Sequence, residues 1–189
     1  MSEEKKNSIK EFIDSLVVAF VIAIVILTFL IGNYMIPSGS MLETLQEGDR
    51  ILVNKLSYKF GEPEHGDVAV FEYPLQPNMT FIKRVIGLPG DTIQIVDRKI
   101  IRNGETLDEP YVAEHRFRHF MNPMVDSVPQ FTIPQGMYLM MGDNRDGSDD
   151  GRYWGFIPKA AFKGKAVVVY FSKEPGGGLR WSRFFSLIK

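Results

Sequence analysis

Hydrophobic positions are spread very unevenly along the chain. From Leu16 to Ile31 (LVVAFVIAIVILTFLI) there are 16 consecutive residues of which only Thr28 has a side chain able to hydrogen-bond. A helix on the surface of a soluble protein keeps one polar face, and this run has none. Continued to Ile36 it comprises 21 residues, which at about 1.5 Å per residue spans the roughly 30 Å hydrocarbon core of a bilayer. Ser8 and Glu11 have the spacing of a capping box that starts a helix near Ile9. The run leads into Asn33-Tyr34-Met35-Ile36-Pro37 rather than a small-x-small cleavage site, so it reads as a retained anchor and not as a cleaved signal. Lys5, Lys6 and Lys10 precede it, against only Arg50 in the 15 residues after Ile36, which puts the N-terminus inside.

Beyond Pro37 the pattern changes to short extended runs. Arg50–Leu56, Asp67–Tyr73, Phe81–Ile86, Thr92–Val96 and Lys165–Phe171 are β-branched or aromatic stretches of strand length, bounded by Gly, Pro and Asp. Asn103-Gly104 marks a hairpin after Lys99–Arg102, since both residues tolerate positive φ. Pro158–Phe162 reads as one helical turn, and Ala113–Gln130, with Pro123 and Pro129, as an excursion or loop. No βαβ alternation or internal repeat is present, so the expected fold is mainly β: one N-terminal transmembrane helix followed by an antiparallel sheet. The organisation is residues 1–36, tail and anchor; 37–175, a β domain; and 176–189, a Gly linker with an amphipathic tail. That tail interleaves Leu179, Trp181, Phe184, Phe185, Leu187 and Ile188 with Arg180, Arg183 and Lys189. It suits a membrane surface and equally suits packing on the β domain.

Composition narrows the chemistry. With 189 residues the chain holds one domain of ordinary size besides its anchor. Lys+Arg 22 against Asp+Glu 23 removes the basic excess of a nucleic-acid binder. The absence of cysteine excludes disulfides, zinc ribbons and a thiolate nucleophile. His115 and His119 have a helical metal spacing but lack a third ligand, so no metal or other cofactor is expected; with His65 in a turn, a Ser-His-Asp triad has little support.

Three clusters are candidates for function: Pro37-Ser38-Gly39-Ser40-Met41, then Phe81 to Asp91 (FIKRVIGLPGD), then Gly142 to Arg152 (GDNRDGSDDGR). Singly each has an ordinary reading, as a turn, a strand and a solvated or calcium-binding loop. Lys83 changes the balance. On an extended run it shares a face with Phe81 and Val85, while Arg84 joins Ile82 and Ile86 on the other. A general base must be neutral near pH 7, and lowering a lysine from about 10.4 to about 7–8 requires roughly 4 kcal/mol, within reach of burial among apolar groups. A neutral amine can then take the proton of a serine hydroxyl without a histidine.

Together, PSGSM after a membrane helix, FIKRVIGLPGD and GDNRDGSDDGRYWGFIP resemble the bacterial type I signal peptidases (leader peptidases), over about Tyr34 to Ser172. The resemblance implies a membrane-anchored serine endopeptidase with a Ser-Lys dyad that removes signal peptides from exported preproteins after small residues, Ala-x-Ala in type. It implies a single-pass protein of the cytoplasmic (inner) membrane with its catalytic domain on the extracytoplasmic side. Its partners would be preprotein signal peptides, the lipid bilayer and, by proximity, the protein export channel. Carried over by motif, Ser40 is the nucleophile and Lys83 the general base, Ser38 contributes to the oxyanion hole beside the Ser40 N–H, and Ser148 orients the Lys83 amine. Asp150 and Arg152 form a supporting ion pair, Asp143 and Arg145 are structural, and Tyr34, Ile36, Met41, Leu45 and Ile82 form the pockets for the substrate's −1 and −3 side chains.

Three positions depart from the family pattern: Glu43 stands where Pro is usual, Gly147 for Asn and Gly151 for Ser. A self-cleaving repressor protease uses a related Ser-Lys site but needs a DNA-binding domain where this chain has an apolar run. A non-enzymatic tethered β module would leave the serine pair and Lys83 without a reason.

Overall fold

The structure is a computed structural model that describes residues 3–112 and 123–189. Helix α1 (Glu3–Phe29) takes up the apolar run. It stops earlier than the sequence reading, which carried the span on to Ile36, because Ile31–Met35 is strand β1. Residues Ile31–Met35 alternate in burial and pair antiparallel with the next strand from Ile31↔Asn54 to Met35↔Arg50, a pattern concealed by the apolar run that precedes it. The helix end is tied directly to the sheet: the Lys55 amide donates to Leu30 O at 3.0 Å and Lys55 Nζ to Thr28 O at 2.9 Å, satisfying carbonyls that a helix terminus leaves open. Among the described residues no helix is both long and apolar enough to cross a membrane, so the expectation of a spanning anchor rests on the amino-acid sequence.

After β1 come β2 (Asp49–Asn54), a helical turn α2 (Ser57–Phe60), β3 (Val68–Tyr73), β4 (Gln76–Gly87), β5 (Thr92–Val96), β6 (Lys99–Arg102) and β7 (Glu105–Thr106). Beyond residues 113–122 follow α3 (Pro123–Asp126), β8 (Val128–Thr132), β9 (Met137–Met141), α4 (Gly151–Trp154), β10 (Ile157–Pro158), β11 (Phe162–Ser172) and β12 (Ser186–Leu187). Among the described residues the strands form two antiparallel sheets, one in the order β1-β2-β11-β3-β4-β9-β10 with β12 beside β11, the other β7-β6-β5-β8. The mainly antiparallel β architecture is therefore as expected. Asn103 and Gly104, at φ 54° and 85°, make the β6–β7 hairpin turn. Part of the stretch read as a loop is strand instead: β8 lies on the edge of the small sheet against β5, where Pro129 is tolerated. His115 and His119 lie outside the described residues.

Along β3 the large sheet is covered on both faces. Val68 and Val70 enter one core cluster with Ile36, Met41 and Leu45, while Ala69 and Phe71 enter another with Val85 and Met140. Burial on both sides explains why Val68-Ala69-Val70-Phe71 is continuously apolar. The C-terminal tail folds back on this sheet. Asp49, fully buried, accepts hydrogen bonds from the Gln46 amide, Ser172 Oγ, Arg180 and both Nε and Nη2 of Arg183, and Arg183 Nη2 also donates to Thr44 O at 2.9 Å. Arg183 and the other donors hold the Asp49 carboxyl below its ordinary range against the opposing effect of burial. Trp181, Phe185 and Leu187 stay exposed beside this anchor point.

Candidate active site

Gly39–Met41 form one 3-10 turn between β1 and β2. Met41 is fully buried and seats the turn in the core. Asn144 clamps it from the opposite loop, its amide donating to Ser40 O at 3.2 Å and its side-chain nitrogen to Gly39 O at 3.0 Å. Ser40 is thereby presented to β4, where Lys83 Nζ donates to Ser40 Oγ at 2.6 Å.

Lys83 is 4% exposed. Removal of its ammonium from water pushes its pKa down to about 8, against the opposing fields of Asp150, Asp149 and Asp143 and with slight help from Arg152. The Phe81 ring lies 5.7 Å from Nζ. A lysine in this state is neutral for a useful fraction of the time near pH 7, and in its neutral form it can accept the hydroxyl proton across the same 2.6 Å contact.

The remaining expected residues fall into three groups. Ser38 is exposed, extended at φ −146° and ψ 160°, and lines the same cleft as Ser40 and Lys83. Asp150 and Arg152 are joined by two bonds of 2.9 Å, and Asp150 also accepts from the Gly142 amide at 3.0 Å. Asp143 and Arg145 are also held in ion pairs, but with partners outside the set named from sequence. Asp143 takes Nε and Nη2 of Arg84 at 2.8 and 2.7 Å and Thr44 Oγ1 at 2.5 Å, while Arg145 grips Glu109.

Ser148 is buried, and its Oγ has no hydrogen-bond partner among the described residues. A Cβ built on Gly142 would lie 2.2 Å from that oxygen and 2.5 Å from Ser40 O, so Ser148 stands next to the nucleophile turn; the amine of Lys83 bonds to Ser40 and not to Ser148. The five expected pocket residues converge only in part. Ile36, Met41 and Leu45 share one core cluster, with Tyr34 and Ile82 packed against it. The cleft at Ser40, about 510 Å³, is walled by Leu42, Met79, Phe81 and Ile82, so of the five only Ile82 lines it.

Sequence reasoning missed Arg84, the most voluminous of the fully buried side chains among the described residues. It also donates to Gly66 O at 2.7 Å and stacks 3.8 Å from the centre of the Tyr111 ring. The signal was available: an arginine alternating with Ile82 and Ile86 on an apolar strand must find a buried carboxylate. Two of the three family departures have local causes. A Cβ on Gly147 would meet the clamping Asn144 side chain at 2.6 Å, and one on Gly151 would meet Leu139 Cδ1 and Met140 O at 2.8 Å each. Glu43 is exposed.

Comparison with known proteins identifies the family of the chain. The family model described as signal peptidase, peptidase S26, matches residues 9–171. A signal peptidase I of Pseudomonas aeruginosa is 39% identical over 194 residues, covering 80% of this chain and 68% of its own. A probable signal peptidase I of Synechocystis is 39% identical over 178 residues, covering 90% and 87%. A solved signal peptidase I from Enterococcus faecalis aligns at 33% identity over 55% of this chain and 96% of its own, with a TM-score of 0.46. The three sequence motifs and the buried lysine on a serine hydroxyl thus sit inside a match that covers most of the chain, and the chain belongs to the signal peptidase family, peptidase S26, as a hydrolase.

Proposed function

We propose that the chain is a membrane-anchored serine endopeptidase that cuts signal peptides from preproteins after small residues, with Ser40 as nucleophile and Lys83 as general base. The observation that carries this is the 2.6 Å contact between a buried, pKa-lowered amine and the hydroxyl of a tightly held turn. Neutral Lys83 takes the Ser40 proton as the oxygen attacks the scissile carbonyl. The oxyanion is stabilised by the Ser40 N–H and the Ser38 hydroxyl. The ammonium then returns the proton to the leaving amine, and the neutral amine activates water to release the acyl group from Ser40. Ser148, buried beside Gly142 and next to this turn, steadies the amine once the substrate has engaged Ser40. Leu42, Phe81 and Ile82 narrow the cleft and favour Ala over larger side chains.

The anchor is α1, N-terminus inside, with the β domain on the extracytoplasmic side near the site where preproteins are exported. Two observations support it: the unbroken apolar sequence, and the 47–67% exposure of large apolar side chains from Phe12 to Ile24 among the described residues. Exposed Trp181, Phe185 and Leu187 provide a second interfacial contact. The test is incubation of the detergent-solubilised chain with a precursor ending in Ala-x-Ala. Wild type releases the mature protein and Ser40→Ala does not; cleavage by Ser40→Ala at the wild-type rate overturns the assignment.

A further inference from the structure

A second cavity, about 670 Å³, shares no lining residue with the Ser40 cleft. Its walls carry Lys55, Lys59, Lys159 and Lys163, with Tyr34 and Tyr58 between them. Four ammonium groups around one cavity form an anion site unless carboxylates cancel them, and here cancellation is partial. Lys159 pairs with Glu62 and Lys163 with Glu72, neither of which lines the cavity, and every member of the two pairs is at least a third exposed. Lys55 is turned to a backbone carbonyl, and Lys59 has no ion-pair partner among the described residues. Exposed ion pairs are weak, so an arriving dianion or monoanion competes with Glu62 and Glu72 at little cost.

The position of the cavity selects the anion. Lys55 Nζ bonds to Thr28 O, in the last turn of α1, so one wall of the cavity is the seam where the apolar helix meets the sheet. The ring of Tyr34 lies over Gly32 beside Lys55: a Cβ at Gly32 would meet Tyr34 Cε2 at 2.7 Å and Lys55 Cε at 3.4 Å. Lysine and tyrosine together at the end of an apolar helix is the composition of a membrane–water interface, and the anion present there in quantity is lipid phosphate.

We propose that this basic groove binds the phosphate of an anionic lipid headgroup at the foot of α1. Lys59 and Lys163 supply the charge, and Tyr34 flanks the glycerol, while Tyr58, buried and bonded through its hydroxyl to Asp67, forms the floor. The placement rests on the anchor reading of α1.

The test uses the full chain in detergent micelles, titrated by calorimetry with dihexanoyl phosphatidylglycerol, dihexanoyl phosphatidylcholine or inorganic phosphate. Phosphatidylglycerol is expected to bind, and Lys59→Gln/Lys163→Gln to weaken it by about tenfold or more while leaving phosphatidylcholine unchanged. Lys99→Gln/Lys173→Gln, an equal loss of charge on exposed lysines outside the groove, is expected to change nothing. Equal binding of the two lipids, or an equal loss in both double variants, overturns the proposal. So does inorganic phosphate binding as tightly as phosphatidylglycerol, or displacement of the lipid by a tetraglutamate peptide at the same concentration, which would assign the groove to free phosphate or to an acidic polypeptide. Unchanged precursor cleavage in micelles shows that the variants are folded. The lipids are soluble, so the assay does not require α1 to span a bilayer. Alkaline carbonate extraction reads that separately: a chain released by carbonate with lipid selectivity intact fails the anchor and keeps the groove, and a retained chain without selectivity does the reverse.

Discussion

Lys83 and Arg84 stand side by side on β4, are 4% and 1% exposed, and face opposite sides of the sheet. On the Arg84 side the cation is met by a carboxylate in two parallel bonds, a backbone carbonyl, a threonine hydroxyl and an aromatic face. On the Lys83 side it is met by a serine hydroxyl at 2.6 Å and an aromatic ring, and the carboxylates act only through space. Burial is the same and the outcome is opposite. A buried cation that is given a carboxylate becomes structure, whereas one given only a hydroxyl is under pressure to lose its proton and becomes a base. Arginine suits the first role because it does not deprotonate in proteins, and lysine the second because it does.

Breaking the Lys83 side should have the largest effect. Ser40→Ala and Lys83→Met are each expected to lower precursor cleavage by a factor on the order of 10⁴ or more, and the double variant no further, because the two act as one unit. Near-wild-type cleavage by Lys83→Met would end the assignment. Breaking the Arg84 side should be a matter of folding: Asp143→Ala leaves a buried guanidinium unpaired and should cost about 3–5 kcal/mol in denaturant unfolding. A loss within error of zero would mean that the pair is replaced by water. Ser38→Ala touches neither cation and should lower kcat by about 10²–10³, leaving the pH dependence of kcat/KM, with its ascending limb near pH 8, in place; a displaced limb would make Ser38 part of the base.

The smallest effect sharpens the contrast most. Between about pH 8 and pH 10.5 the unfolded chain holds a proton on Lys83 that the folded chain does not. Stability of the wild type therefore falls as pH is lowered through that window and stays low beneath it. Lys83→Met, although inactive, should be more stable than wild type at pH 7 by up to roughly 3 kcal/mol, with the gain gone by about pH 10.5. Urea unfolding of both chains at the two pH values measures it, and a pH-independent difference would mean that burial does not strain the amine.

Much of this was legible along the chain because it is local. Alternation set β2, β4 and β5, Asn103-Gly104 set its hairpin, and the three motifs named Ser40 and Lys83. What was not legible is tertiary or masked by a stronger local signal. Strand β1 was absorbed into the apolar run before it, and β8 was concealed by Pro129. The partner of Asp143 lies 59 residues away on β4, and nothing in the loop that carries Asp143 points there. Ile36, Met41 and Leu45 are apolar and near the nucleophile in sequence, but whether such residues wall a cleft or fill the core beneath it depends on which way the turn faces.

The knot of Asp49 with Arg180 and Arg183 has a bearing on biosynthesis. The chain emerges from the ribosome with α1 and the Ser40 turn ahead of these arginines, which follow the carboxylate they neutralise by more than 130 residues. Until they arrive, the seat of Thr44 lacks the Arg183 bond to its carbonyl, and Asp49 cannot enter the core without leaving a charge unpaired there. The bond that holds the Thr44 carbonyl, three residues beyond the nucleophile turn, therefore forms only once Arg183 has been translated, whatever folds before it.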